Sequence, residues 1–200
     1  MSGARLILGS GSSSRRSLLE AAGLNFEVVP ADIDEGVVKE QARARGASAG
    51  ETAFLLAEMK ARAVAEKFPD ALVIGADQLL VCEEEWFDKP PNMAGARAHL
   101  RKLRGKAHVL ETAVVCQQGG ERVWYHVSRP RLTMRAFSDA YLEAYLASER
   151  DAVLGSVGAY RLEGRGVQLF EEIEGDFFAI LGLPLLPLLS LLRQARALGG

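Results

Sequence analysis

Asp77 lies in the run Ala71-Leu-Val-Ile-Gly-Ala-Asp77-Gln78-Leu-Leu-Val-Cys82, which is otherwise almost wholly apolar and reads as a buried strand. Taking a carboxylate out of water costs on the order of several kcal/mol unless a cation or several donors compensate it. Such a residue therefore calls for a partner: a metal, a lysine or a reacting water. The competing reading is an aspartate that caps a turn at the end of the strand.

Other residues carry compatible chemistry. Ser10-Gly11-Ser12-Ser13-Ser14-Arg15-Arg16 falls between a strand and a helix start. Backbone N–H groups and the positive end of a helix dipole favour anions there, and hydroxyls and guanidinium groups add charge-assisted bonds to phosphate oxygens. The segment lacks the spacing and the lysine of a Walker A loop, and plain helix capping is the alternative. Lys60 follows Leu56 and precedes Val64 by four residues each, so it shares a helix face with apolar side chains. A cation there wants an anion, unless it snorkels past that face into water. Asp77 with Asp34 or Glu35 offers oxygen ligands of the kind that hold Mg²⁺ or Mn²⁺ on phosphate-bearing substrates; an acidic loop is otherwise simply solvated. Lys89, fixed by Pro90 and Pro91, is a further candidate for phosphate contact, although taken singly it is an ordinary surface lysine. His99, His108 and His126 show no metal-binding spacing, and no serine sits in a nucleophile elbow. The set points to hydrolysis of a phosphoanhydride.

The elements that must position these groups alternate. A strand over Arg5 to Gly9 leads into a helix over Arg15 to Ala22 closed by Gly23, followed by a strand over Phe26 to Pro30 and an acidic loop, Asp32 to Glu35. A long helix is expected over Glu51 to Lys67, then the Asp77 strand, a hairpin tip at Glu83-Glu84-Glu85 and a helix from Met93 to Leu103 capped by Asn92. Val109 to Cys116 and Arg122 to Arg135 read as extended runs joined by Gln117 to Gly120. Ser138 caps a helix over Asp139 to Ala147. The glycine-spaced segment Gly155 to Gly166 predicts a sharp turn or a close approach to a ligand, and a strand over Val167 to Phe170, a turn at Glu174-Gly175-Asp176 and a helix begun by Pro184 complete the chain. The pattern predicts an α/β fold: a mixed, elongated central sheet flanked by helices, in two lobes with a cleft, within one domain over residues 1–200.

Composition narrows the class. The chain is 48% hydrophobic and 25% charged with a formal net charge of -2, which provides no footprint for nucleic acid or an anionic membrane, so phosphate binding must be local. No apolar run of about 18 residues is present to span a bilayer. Phe177 to Leu192 is broken by Gly182, Pro184 and Pro187, and Leu6-Ile7-Leu8 is too short for a signal-peptide core. Cys82 and Cys116, each in an apolar run and far from any CxxC, read as core thiols in a reducing cytoplasm.

The ordered series Leu6 to Ser12 with Arg15-Arg16 and Leu18-Leu19, Asp32-Ile-Asp-Glu35, Ala57-Glu-Met-Lys60-Ala61, Val73 to Gln78, Lys89-Pro90, Gly158-Ala-Tyr160, Glu163-Gly164, Ile173 to Asp176 and Gly182-Leu-Pro184 resembles the Maf family of nucleoside triphosphate pyrophosphatases, also called septum formation inhibitor proteins. The resemblance runs over nearly the whole chain. It implies a divalent metal, Mg²⁺ or Mn²⁺, and cleavage of a nucleoside triphosphate to monophosphate and pyrophosphate, so that modified nucleotides do not reach polymerases. It places Asp77 at the proton acceptor and Ser10, Arg15, Glu35, Lys60 and Lys89 along the same pocket; the substrate-binding candidates are accordingly Ser10, Ser12, Arg15, Arg16, Lys60 and Lys89, and the metal-ligand candidates Asp77 and Glu35. Gln78 and Glu163 resemble the branch that prefers 7-methyl-GTP, where a carboxylate suits a cationic base. Ser14 departs from that branch, which often carries a large aromatic there, and so bears on base preference. A nucleotide-binding regulator of septum formation with incidental hydrolysis is the second reading. Oligomeric state is left open, a homodimer being one arrangement.

Overall fold

The structure, a computed structural model, describes residues 5–195. In chain order its first elements are β1 (Leu6–Leu8), α1 (Ser13–Ala21), β2 (Glu27–Val28), α2 (Glu35–Ala44), α3 (Ala49–Ala65), β3 (Leu72–Cys82), β4 (Glu85–Phe87) and α4 (Met93–Leu103). They are followed by β5 (Ala107–Gln118), β6 (Glu121–Ser128), β7 (Arg131–Met134), α5 (Asp139–Glu149), β8 (Phe170–Glu174), α6 (Phe177–Ile180) and α7 (Leu185–Gln194). Three short 3-10 turns lie between α5 and β8. The sheet is mixed, as expected: β1 runs parallel to β2 and β3, and the pairs β3–β4, β5–β6, β5–β7 and β7–β8 are antiparallel.

The described chain divides into two compact units. The first holds the described residues up to Gln78, Thr112–Ser128 and those from Phe177 onward; the second holds Leu79–Glu111 and Arg129–Asp176. In the first unit, strand alternation sorts the core. Leu6, Leu8, Leu72, Ile74 and Ala76 join Leu19 of α1 and Leu185, Leu188 and Leu192 of α7. Ile7 and Val73, pointing the other way, join Val64 and Ala65 of α3. Helices thus cover both faces of the β1–β3 pair. Gly75 lies on the α3 face, and a Cβ there would sit 2.2 Å from the Ala57 carbonyl oxygen and 2.8 Å from the Ala61 Cβ. Its lack of a side chain is what lets helix and strand approach so closely.

In the second unit His108 is buried, its Nε2 lies 3.0 Å from the Tyr160 hydroxyl, and its ring packs on Tyr160 and Phe170. The Gly155 to Gly166 stretch turns sharply: Gly158 has φ of 75°, and a Cβ on it would lie 2.6 Å from Leu80 Cδ1.

Several element boundaries differ from expectation. Asp34 and Glu35 open a helix instead of closing an acidic loop. Asp34 Oδ1 accepts from the Val37 N–H and begins α2, a helix absent from the sequence reading, on which only Ala42 is buried. The extended run after Gly120 is interrupted at Arg129-Pro130, proline being unable to donate to the ladder, yet β6 and β7 both pair with β5. Residues 167–169 form a 3-10 turn, and the strand starts at Phe170, where glutamates hide its alternation. The strand expected over Phe26 to Pro30 is only the two residues of β2. The helix from Met93 to Leu103, capped by Asn92 Oδ1 on the Gly95 N–H, stands as expected.

Candidate active site

Asp77 sits in the interior of β3, not at its end, and is 4% exposed. The turn-capping reading is thereby excluded. The same alternation that turns Val73 and Gly75 toward α3 turns Asp77 that way too. Lys60 is on the facing side of α3, 7% exposed, and its Nζ donates to Asp77 Oδ1 at 2.5 Å. It also lies 2.6 Å from Glu35 Oε1, at the start of α2. Lys60 does not snorkel to water; it bridges two carboxylates. α3 is fixed at its start by a reciprocal capping box, in which Ser48 Oγ accepts from the Glu51 N–H and the Glu51 carboxylate accepts from the Ser48 N–H. The other oxygen of Asp77, Oδ2, is buried and makes no hydrogen bond among the described residues. One carboxylate oxygen is held and the other is left for something else, an unusual state for a buried acceptor.

Arg15, on α1, is 8% exposed. Its Nε donates to the Gly182 carbonyl at 2.8 Å, and its Nη1 to Ser10 Oγ and to the Ala76 carbonyl, both at 2.9 Å. The guanidinium thus sits beside the backbone of the Asp77 strand. Burial draws its pKa below the ordinary value, and attraction from Asp77 and then Glu35 opposes that shift. Ser12 caps α1, its Oγ accepting from the Arg15 N–H, so this hydroxyl performs the ordinary local role. Ser14 lies half-buried in the first turn of the same helix. Arg16 is placed apart from the cluster, in an exposed pair with Glu20 at 2.7 Å.

Gln78 points to the opposite face from Asp77. Its Nε2 donates to Thr112 Oγ1 at 2.8 Å and to the Ala179 and Ile180 carbonyls at 2.9 and 3.2 Å. Carbonyl oxygens only accept, so the amino end of this amide must face them. Gln78 in this way ties the end of α6 to the strand that carries Asp77, and Arg15 holds the same segment nearby, at Gly182. Thr112, buried and donating to the Ala179 carbonyl at 3.1 Å, is a member that the sequence reading missed. A signal for it exists: like Asp77, it is a polar residue inside an apolar strand run.

Ser10, Arg15, Glu35, Lys60, Asp77 and Gln78 all belong to the first unit. Lys89 and Glu163 belong to the second. Lys89 is exposed, and Glu163 meets Arg161 Nε at 3.2 Å, while Arg161 Nη1 meets Glu149 Oε2 at the same distance.

A metal fits this chemistry. Among the described residues no group of three or more His, Cys, Asp or Glu side chains forms a cage. Two carboxylates converging on one ammonium, with a buried oxygen to spare, match the one or two hard ligands that Mg²⁺ or Mn²⁺ takes beside phosphate oxygens.

Residues 5–195 match the model of the family described as Maf-like protein. A nucleoside triphosphate pyrophosphatase of Granulibacter bethesdensis is 59% identical over 97% of this chain and 98% of its own. One of Rhodospirillum rubrum is 50% identical over 94% of this chain and 93% of its own. A 7-methyl-GTP pyrophosphatase of Rhizobium meliloti is 50% identical over 96% and 97% respectively. With the match running through every strand and helix of the Asp77 cluster, the chain belongs to the Maf-like protein family.

Proposed function

We propose that this chain hydrolyses a nucleoside triphosphate to the monophosphate and pyrophosphate, and in so doing keeps modified nucleotides from polymerases. Its relatives' names support the reaction class. The observation that carries the mechanism is the asymmetry of Asp77: Oδ1 is anchored by Lys60, and Oδ2 is buried without a hydrogen bond among the described residues. An anchored carboxylate with one free oxygen is suited to orient a water and take its proton. The water oxygen forms a bond to the α-phosphorus, the bond from that phosphorus to the bridging oxygen breaks, and pyrophosphate leaves with the electron pair. Arg15 and Lys60 supply fixed positive charge as negative charge builds on the leaving group. Asp77 and Glu35 would hold the divalent cation, which when bound neutralises charge on the phosphates. Ser10 acts through Arg15 in this scheme by fixing its guanidinium.

Within the class, 7-methyl-GTP is the substrate we favour. The support is the resemblance of Gln78 and Glu163 to that branch and the name of the Rhizobium meliloti relative. A cytoplasmic setting belongs to the same reading, supported by two buried thiols, Cys82 and Cys116, left unpaired. The test is a panel of 7-methyl-GTP, GTP, dTTP, UTP and CTP with Mg²⁺ or Mn²⁺, scored by pyrophosphate release. Turnover should be highest on 7-methyl-GTP, and Asp77→Asn should lower it by about a hundredfold to ten-thousandfold. Undiminished turnover by that variant would remove Asp77 from the mechanism.

A further inference from the structure

The ion pairs at Glu35 and Asp77 bear on when a metal can bind. Lys60 Nζ meets Glu35 Oε1 at 2.6 Å and Asp77 Oδ1 at 2.5 Å, and it is almost wholly buried. Lys39 Nζ stands 3.8 Å from Glu35 Oε2. Arg15 is hydrogen-bonded to the Ala76 carbonyl, one residue before Asp77. Buried Lys60 and Arg15 thus set positive charge beside Asp77 and Glu35, where a divalent ion arriving alone would have to sit. To take Asp77 Oδ1 or Glu35 Oε1 it must also displace the ammonium that holds them. A triphosphate changes both conditions: it brings negative charge and offers the lysine other oxygens.

We infer that the Lys60 ammonium is an internal competitor of the divalent cation, holding Glu35 and Asp77 so that the metal binds together with the triphosphate and not before it. This rests on the pyrophosphatase reading above. It assigns Lys60 a role in the order of binding in addition to phosphate contact.

The experiment titrates the full chain with Mn²⁺ and follows the free ion by electron paramagnetic resonance. One arm uses Mn²⁺ alone. The other adds a triphosphate with a methylene group in place of the α–β bridging oxygen, its own chelation subtracted from protein-free titrations. The wild type should bind Mn²⁺ at least about tenfold more tightly with the analogue present, and Lys60→Met should bind Mn²⁺ alone at least about tenfold more tightly than the wild type. Lys60→Arg, which keeps the charge, should show no such gain. Equal affinity of wild type and Lys60→Met for Mn²⁺ alone overturns the inference. If Lys60→Met does not fold, the wild-type arms decide: binding of Mn²⁺ alone as tight as with the analogue overturns it, and the tenfold difference upholds it. Failure of the parent reading is distinct, since it shows as absence of pyrophosphate release by the wild type from every triphosphate tested.

Discussion

Two buried ionisable residues show how differently one environment can be used. Asp77 is buried with Oδ1 on the Lys60 ammonium, and because its Oδ2 makes no hydrogen bond among the described residues it has a use beyond the ion pair. His108 has no cation or carboxylate among its hydrogen-bond and ring partners, Tyr160 and Phe170, and burial lowers its pKa from 6.5 to about 4. The folded state therefore refuses a proton that the unfolded state accepts below pH 6.5. Stability contributed by neutral His108 is full above that value and falls as the pH drops toward about 4, by about 3 kcal/mol at most. Urea midpoints at about pH 7 and about pH 4.5 should diverge more for the wild type than for His108→Gln. An equal divergence would mean that His108 takes up its proton in the native state at its ordinary pKa.

At the scale of elements, the site depends on how closely α3 approaches β3. Gly75 permits this, and a methyl group there would meet backbone atoms of Ala57 and Ala61 at 2.2 and 2.5 Å, which no side-chain rotation relieves. Gly75→Ala should cost about 1–3 kcal/mol in denaturant unfolding and lower turnover as well, because α3 moves Lys60 with it. Much of this is legible in the sequence. The apolar run around Asp77 announces a buried strand, and the four-residue spacing of Leu56, Lys60 and Val64 puts the lysine on the inward face; the strand period and the helix period together nearly fix their meeting. α2 escapes the sequence reading although Asp34 and Glu35 form an acidic helix start, because its polar-rich composition reads equally well as a solvated loop. That Glu35 shares Lys60 with Asp77 depends on a helix start that no local pattern discloses beyond the acidic residues themselves. In the sequence the amide of Gln78 reads as a group for the base, while its amino end serves the α6 carbonyls and Thr112, long-range partners that spacing cannot reveal.

For the whole molecule, charge and topology confine the chemistry. A chain of 24 basic and 26 acidic residues gathers Arg15, Lys39 and Lys60 beside two acids, so its attraction for phosphate is local and not global. Retention of duplex DNA or RNA on a filter at physiological salt should accordingly be at background, and a strong salt-dependent retention would require a basic surface that the composition does not provide. The Asp77 cluster is complete within the first unit, while Lys89 and Glu163 reside in the second. Among the candidates for base preference, Gln78 lies in the first unit and Glu163 in the second; on the proposed assignment of Glu163 to the base, its change should alter the order of substrates without abolishing pyrophosphate release. The most direct test of the central claim is turnover of 7-methyl-GTP with Mg²⁺ in water enriched in heavy oxygen, with products analysed by mass. Attack on the α-phosphorus by a water under Asp77 predicts the label in the nucleoside monophosphate and unlabelled pyrophosphate, with neither product formed at an appreciable rate by Asp77→Asn. Label in the pyrophosphate, or unchanged labelling by that variant, would contradict it.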